Sequence, residues 1–276
     1  MIYILLPVHN RKKITLKFIS YLKKQTYDKI LLVLIDDGST DGTTEAVLNE
    51  YKNTFVIYGN GKLWWAGCLN RGYEYLINAN TVKDNDIILI INDDTAFESD
   101  YLHKAKKCIQ NNNDSLLGSM AISNKDGKII DSGKLIDWSR YDFRNCEIFG
   151  EVECLSTRGL FIQYKAFKAI GPPRYKLLPH YLSDYEYTIR AKKKGYKLIT
   201  NKDILLYQNE ETTGIHNFIN TKYSIFKKLQ IIFSTKYSQN PIFVTNFILL
   251  CCPVLYIPKN ILGTWYRFIK TLIRTY

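Results

Sequence analysis

The chain has no acidic residue after Glu211. All 26 Asp and Glu lie at or before that point, while eight of the 38 Lys and Arg follow it: Lys222, Lys227, Lys228, Lys236, Lys259, Arg267, Lys270 and Arg274. The net charge of +12 therefore divides into +4 for residues 1–211 and +8 for residues 212–276. A basic segment without acid suits nucleic acid or an anionic membrane surface. Paired cysteines are also missing. Cys68, Cys108, Cys146, Cys154, Cys251 and Cys252 form no CxxC and no regular spacing, so reduced thiols in a cytosolic compartment are expected. Residues 1–7 lack a basic n-region and are too short for a signal h-region, and they read as a buried strand. No internal repeat or low-complexity linker breaks the chain. With 46% hydrophobic and 23% charged residues it is globular, long enough for one large α/β domain with a small appendage.

Short apolar runs alternate with segments of helical spacing. Strands are predicted over 2–6, 31–35, 55–58 and 86–91, and helices over 13–24, 43–51, 68–78 and 101–111. This order implies βαβ units and a largely parallel sheet. Ligands bind such sheets outside the carboxyl ends of the strands. Three strands end there in polar clusters: His9-Asn10-Arg11, Asp36-Asp37 and Asn92-Asp93-Asp94. Beyond residue 115 the pattern loosens into shorter strands, with Asp126-Gly127 as a hairpin signal. Helices follow over 164–170 and 185–194, and a strand over 197–200.

A carboxylate pair such as Asp93-Asp94 at a strand end suits a hard divalent ion that also holds a diphosphate, or simply a solvated turn. Asp36 and Asp37 are placed to accept hydrogen bonds from a ribose or a base, or to lead into a helix cap at Thr40 or Asp41. Ser183-Asp184-Tyr185-Glu186 reads as a capping box, with Ser183 at the N-cap and Glu186 three residues on. Asp184 then falls in the first helical turn.

Taken in order, Pro7-Val8-His9-Asn10-Arg11, Asp36 to Asp41 and Asn92-Asp93-Asp94 resemble the nucleotide-binding half of the family 2 glycosyltransferases. Gly61 to Gly72, which includes Trp64-Trp65, Gly67 and Asn70, looks like the segment those enzymes place beside the nucleotide, in a variant seen in rhamnosyl- and galactofuranosyl-transferase-like members. Asp184 to Arg190 matches the family's Asp-x-Glu-aromatic-x-x-Arg segment. The resemblance covers about residues 2–205. It implies a GT-A fold: a Rossmann-like, mostly parallel central sheet with a smaller mixed acceptor-side sheet, followed by a C-terminal helical tail. It also implies an inverting transfer from a nucleotide-sugar donor to a glycan or lipid-linked glycan. Asp184 would be the base and Asp94 a ligand of Mn²⁺ or Mg²⁺, with His216 as a further ligand. Pro7, Val8, His9, Asn10, Arg11, Asp36, Asp37, Gly67, Asn70, Asn92 and Asp93 would bind the donor, and Trp64, Trp65, His180, Tyr181 and Glu186 the acceptor. Asn92 departs from the family's Asp-x-Asp. A sugar-phosphate nucleotidyltransferase would carry Gly-x-Gly-Thr-Arg where Pro7 to Arg11 stand. A glycan-binding or scaffold protein with weakened catalysis remains the alternative that Asn92 leaves open.

The division expected is a catalytic domain over 1–211, with a nucleotide half over 1–115 and an acceptor half over 116–211, then the tail over 212–276. No charge lies between Lys236 and Lys259, but Pro241 and Pro253 argue against a clean span. Trp265, Tyr266, Phe268, Leu272 and Ile273 interleave with bases. That pattern points to a helix lying on anionic lipid, peripheral to the inner face of the cell membrane, with a homodimer through the tail as another use. Large aliphatics among the bases suit lipid better than nucleic acid.

Overall fold

The structure is a computed structural model describing residues 1–147, 149–208 and 223–273. The first half builds β1 (Ile2–Val8), α1 (Lys12–Leu22), β2 (Ile30–Asp36), α2 (Thr43–Glu50), β3 (Thr54–Tyr58), α3 (Trp64–Asn78), β4 (Ile87–Ile90), β5 (Thr95–Ala96) and α4 (Tyr101–Asn111). The second half adds β6 (Ser115–Ser123), β7 (Ile129–Asp131), β8 (Lys134–Asp137), β9 (Asp142–Asn145), β10 (Leu160–Gln163), α5 (Tyr164–Ile170), α6 (Ser183–Lys193) and β11 (Lys197–Gln208). Three helices close the described chain: α7 (Ile225–Ile232), α8 (Pro241–Cys251) and α9 (Ile257–Ile273).

Nine strands form one sheet in the order β3-β2-β1-β4-β10-β6-β11-β5, with β7 paired to β6. β1, β2, β3 and β4 are mutually parallel. β10 runs antiparallel to both β4 and β6, so β6 and its parallel partner β11 regain the direction of β1. The sheet is thus mixed, and its second-half strands form the acceptor side that the sequence led one to expect, continuous with the parallel strands of the first half. Strands β6, β10 and β11 extend the central sheet, and only the β8–β9 hairpin stands apart. The carboxyl ends of β1, β2, β4, β6 and β11 share one edge. The amino end of β10 joins them there.

Pleating explains the core. Ile2, Ile4, Leu6 and Val8 face α1 and α4 through Phe18, Ile19, Leu22, Leu102 and Ile109, whereas Tyr3 and Leu5 face α3, α5 and α6 through Leu69, Leu76, Phe167 and Tyr187. A strand buried on both faces carries no alternation, and so reads as a continuous apolar run. The Asp126-Gly127 turn does join β6 to β7, with Gly127 at φ +70.

Two helix starts differ from the sequence expectation. α3 begins at Trp64, four residues early, because Asp37 caps it from across the sheet edge. α6 begins at Ser183 itself, preceded by left-handed Leu182 (φ 66). Ser183 Oγ donates to the His180 carbonyl at 2.6 Å instead of accepting as a cap. The strand over 197–200 continues to Gln208 through a register shift between Thr200 and Leu205. The boundary near Thr212 lies outside the described residues.

Candidate active site

β1 has β2 on one side and β4 on the other, so strand order reverses at its carboxyl end. A crevice forms at such a point because the connections leave in opposite directions. Here it opens into a cleft of about 800 Å³ lined by Pro7, Val8, His9, Arg11, Asp37, Gly61, Trp64, Trp65, Cys68, Asn92, Asp93, Asp94, Ile130, Arg158, His180, Tyr181, Gln208 and Lys236.

The two aspartates after β2 divide their work. Asp36 is buried; it accepts the Ser39 amide (2.8 Å) and the Thr44 hydroxyl, and it does not line the cleft. It closes its own loop, so its expected donor contact is corrected to a structural one. Asp37 lines the cleft, but accepts the amides of Gly61 (2.8 Å), Leu63 (2.9 Å) and Trp64 (3.2 Å). Three of about four carboxylate lone-pair sites are thereby used, leaving one for a ligand. These bonds fix the start of α3 and with it the two tryptophans.

The loop after β1 is tied to the same place. A carbonyl only accepts, so the 2.6 Å contact of His9 Nδ1 with the Asp37 carbonyl requires Nδ1–H and leaves Nε2 as an acceptor. Asn10, left-handed at φ 52, donates its amide to Ser39 Oγ and accepts the Thr40 amide at 2.8 Å. It straps two loops together outside the cleft, which corrects its expected donor contact.

Beyond β4, Asp93 Oδ2 accepts from Thr15 (2.8 Å), and its Oδ1 lies 3.2 Å from Arg11 Nε. Burial pushes the Asp93 carboxyl up to about 6, against the opposing pull of Arg11 and Thr15. Arg11 Nη2 meets Asp94 Oδ2 at 3.3 Å, while Asp94 Oδ1 is buried without a partner. That orphaned oxygen can serve as one hard ligand for a divalent ion. No group of three His, Cys, Asp or Glu able to hold an ion occurs among the described residues. An ion placed here would have Asp94 Oδ1 as its protein ligand and would need its other ligands from outside this group of side chains. His216 lies outside the described residues.

The opposite wall comes from the second half. Trp65 Nε1 donates to Thr157 Oγ1 at 3.0 Å, and the Ala66 amide donates to the Pro179 carbonyl at 3.0 Å. Trp64 lies 5.8 Å from His180, which in turn packs 4.5 Å from Tyr181. Burial lowers the His180 pKa below that of a free imidazole, and its Nδ1 has no partner. Trp64, Trp65, His180 and Tyr181 thus come together as the sequence suggested. Glu186 does not: it is 1% exposed and pairs with Arg190 (2.8 Å) and Arg174 (3.4 Å). It locks α6 and is removed from the acceptor contacts. Gly67 and Asn70 line a neighbouring cleft of about 420 Å³, with Asn70 donating to Glu74 at 2.8 Å. They do not line the main cleft.

Asp184 is set behind this wall. It borders a small cavity of about 10 Å³ with Thr157, Ala66, Leu69 and Tyr187. Its Oδ1 accepts the Tyr185 amide at 2.9 Å. Burial raises its pKa to about 6, helped by Asp131 and opposed by the Tyr185 amide and the Arg158 charge. A carboxyl poised there is half ionised near pH 6 and can take a proton at neutral pH.

Arg158 and Gln208 went unrecognised in the sequence. Arg158 lines the cleft with Nε buried and unpartnered, and Gln208, 1% exposed, leaves both amide atoms unpartnered. Lys236 joins them from the tail side. Arg158 reaches the edge because it precedes β10, which runs antiparallel to β4 and β6 and so enters where they leave. Gly159 makes that turn at φ +78; a Cβ there would meet Leu206 at 2.5 Å, Ser119 Oγ at 2.7 Å and the Tyr101 hydroxyl at 2.8 Å. Gly159→Ala should therefore lower stability by roughly 2–4 kcal/mol, through left-handed strain plus overpacking. A urea melt checks this, and an unchanged midpoint would contradict the assignment.

Residues 3–171 match the profile of a family described as glycosyl transferase family 2. Glycosyltransferase GlyG of Streptococcus pneumoniae is 30% identical over 97 residues, 32% of this chain and 31% of GlyG. The matched segment thus spans about a third of that relative's length. A mannosyltransferase from Pyrobaculum calidifontis, solved with GDP-Man and Mn²⁺, superposes with a TM-score of 0.57 at 13% identity, over 97% of this chain and 74% of that one. TarS residues 1–349 of S. aureus, solved with UDP-GlcNAc, superpose at 0.59 and 14% identity, over 98% and 81%. Likeness at such identity shows a shared GT-A fold.

Proposed function

The chain belongs to glycosyl transferase family 2, and from that premise we propose that it moves a sugar from a nucleotide-sugar donor to a hydroxyl of a glycan or lipid-linked glycan. The observation that carries this reading is where unpartnered polar atoms gather. Among the described residues, Asp94 Oδ1, Arg158 Nε, His180 Nδ1 and both amide atoms of Gln208 are buried without partners, and these residues line one cleft. Such atoms cost free energy in an empty protein, and a polar ligand repays it.

In this reading the free lone pair of Asp37 receives the nucleoside, while His9 Nε2 is held by the Asn10 side-chain amide at 3.3 Å. Arg158 and Lys236 face the diphosphate. Asp94 would hold Mn²⁺ or Mg²⁺, which when bound would supply Lewis-acid neutralisation of charge on the leaving diphosphate. Trp64, Trp65, His180 and Tyr181 hold sugar rings by stacking and hydrogen bonding. Asp184 is the base that takes the proton of the acceptor hydroxyl as it attacks the anomeric carbon. That role requires the Trp65–Thr157 wall to open, because Asp184 borders the small cavity behind it and does not line the cleft. One displacement on one face inverts that centre, so no carboxylate nucleophile is required. The Trp64-Trp65 pair favours a rhamnosyl- or galactofuranosyl-like donor, and bacterial surface polysaccharide synthesis is the setting.

A thermal-shift screen of UDP-, GDP- and dTDP-sugars with Mn²⁺ or Mg²⁺ tests the donor. A ligand at 100 times its Kd stabilises by about 2.7 kcal/mol. No shift with any nucleotide sugar would overturn the reading. Arg158→Ala should weaken the stabilising nucleotide by about 10–100-fold, the loss of a charged hydrogen bond worth roughly 1.5–3 kcal/mol. A wild-type affinity in that variant would remove Arg158 from the diphosphate site.

A further inference from the structure

Helix α9 is apolar on both sides: inward, Ile257 and Ile261 pack against Val244, Ile248 and Cys252, and Phe268 against Phe233. Its two buried residues are polar, Asn260 and Thr264. Asn260 Nδ2 donates to the Trp138 carbonyl at 2.9 Å, and Thr264 Oγ1 donates to the Asn260 carbonyl at 2.8 Å. Trp265 Nε1 donates to Thr245 Oγ1 of α8 at 3.2 Å. Leu262, Tyr266, Ile269 and Ile273 instead point outward, at 71%, 66%, 49% and 67% exposure. Their 4-3-4 spacing draws one stripe along the helix. The turn Val254–Tyr256 just before it leaves Val254 83% and Leu255 80% exposed. Exposed apolar surface of this extent marks a contact with something apolar.

Charge selects the occupant. Lys259 and Lys270 are exposed on α9, with Arg267 on the same helix. An isologous contact between two copies sets a patch against itself, so cations would face cations with no acid beyond Glu211 to offset them. An anionic lipid surface complements both the stripe and the bases. No helix among the described residues is long and apolar enough to cross a membrane, so the fit is to a helix lying in the interface.

The mounting is firm. Phe247 and Cys251 of α8 pack with Leu178 and with Ile189 of α6. Lys193 Nζ, at the end of α6, donates to the carbonyls of Leu250 (3.1 Å) and Cys251 (3.0 Å). α6 is the helix that carries Asp184.

We propose that α9 and the turn before it form a membrane-docking platform. The apolar stripe sits at the acyl boundary and the lysines among anionic headgroups. Through α8 the platform holds the α6 side of the cleft at the bilayer, where a lipid-borne acceptor is met.

Flotation of the full chain with vesicles tests this independently of the donor. Mixed phosphatidylcholine–phosphatidylglycerol vesicles should carry the protein at low salt, and pure phosphatidylcholine should carry at least tenfold less. Salt of about 1 M, where the screening length is about 3 Å, should release most of it. Leu262→Ser with Tyr266→Ser, and separately Val254→Ser with Leu255→Ser, should each cut binding at least tenfold while leaving the thermal melt unchanged, since these side chains are exposed. Three results would overturn docking: no flotation of the wild type at low salt, unchanged flotation of both variants, or a solution dimer that these substitutions split. Donor-induced thermal shifts should stay at the wild-type value throughout, so failed docking and a failed donor reading leave different patterns.

Discussion

Asp184→Asn should reduce sugar transfer roughly 10²-fold or more while leaving donor affinity near normal. The amide keeps the size of the carboxylate, and its oxygen can still accept the Tyr185 amide, but it cannot take a proton. The general-base contribution is typically 10²–10⁴-fold, and 10² corresponds to about 2.7 kcal/mol in the chemical step. The wild-type rate should fall as pH drops through about 6, where this carboxyl protonates. Stability should move the other way. The folded pKa lies above the ordinary aspartate value of 3.8, so the native state binds more protons than the unfolded chain between about pH 4 and 6. The stability this group contributes is full below that window and is lost as pH rises through it. At pH 7.5 the Asn variant should therefore melt at or above the wild-type temperature, and the difference should vanish near pH 4. Full transfer by Asp184→Asn would show that another group is the base. Lost donor binding would place Asp184 in the nucleotide site.

Asp94→Ala should abolish Mn²⁺- or Mg²⁺-dependent turnover, a loss on the order of 10²–10³-fold or more, as for other groups that stabilise developing charge. The fold should survive, because Arg11 keeps Asp93 at 3.2 Å and Asp93 keeps Thr15. The added thermal shift that Mn²⁺ gives in the presence of UDP or GDP should disappear in the variant. Asn92→Asp, which completes the Asp-x-Asp pattern, should lower the Mn²⁺ concentration needed for half-maximal rate. Full wild-type activity in excess chelator would remove the metal from the mechanism.

Much of this site was legible because it lies at the ends of parallel strands. β1, β2 and β4 are buried on both faces, so each reads as an apolar run that stops where the polar cluster begins. That placed His9, Arg11, Asp37 and Asn92 to Asp94 on one edge, and the structure brings them to one cleft. The misassigned residues failed for another reason. Asn10, Asp36, Asn70 and Glu186 are polar residues in the right segments, but each is spent on a partner within the protein, some across the fold and some only three or four residues away. Asp36 turns back to Ser39 and Thr44, Asn10 crosses to Ser39 and Thr40, and Glu186 is taken by Arg174 and Arg190. A carboxylate's type and spacing do not reveal whether its lone pairs are already occupied.

The sequence by itself determined the alternation of strands and helices, the polar strand ends, the candidate base at the head of α6 and the basic character of the tail. These depend on local periodicity and composition, which each segment carries within itself. The tertiary structure alone decided which half of the sheet β6, β10 and β11 join, and so that Arg158 and Gln208 reach the cleft. Arg158 arrives only because β10 runs antiparallel, a fact of long-range pairing that no local pattern encodes. It also decided which face of α9 is buried. Ile257 and Ile261 pack on α8 and hydrogen bonds reach Trp138 and Thr245, which leaves the second apolar stripe, Leu262, Tyr266, Ile269 and Ile273, exposed.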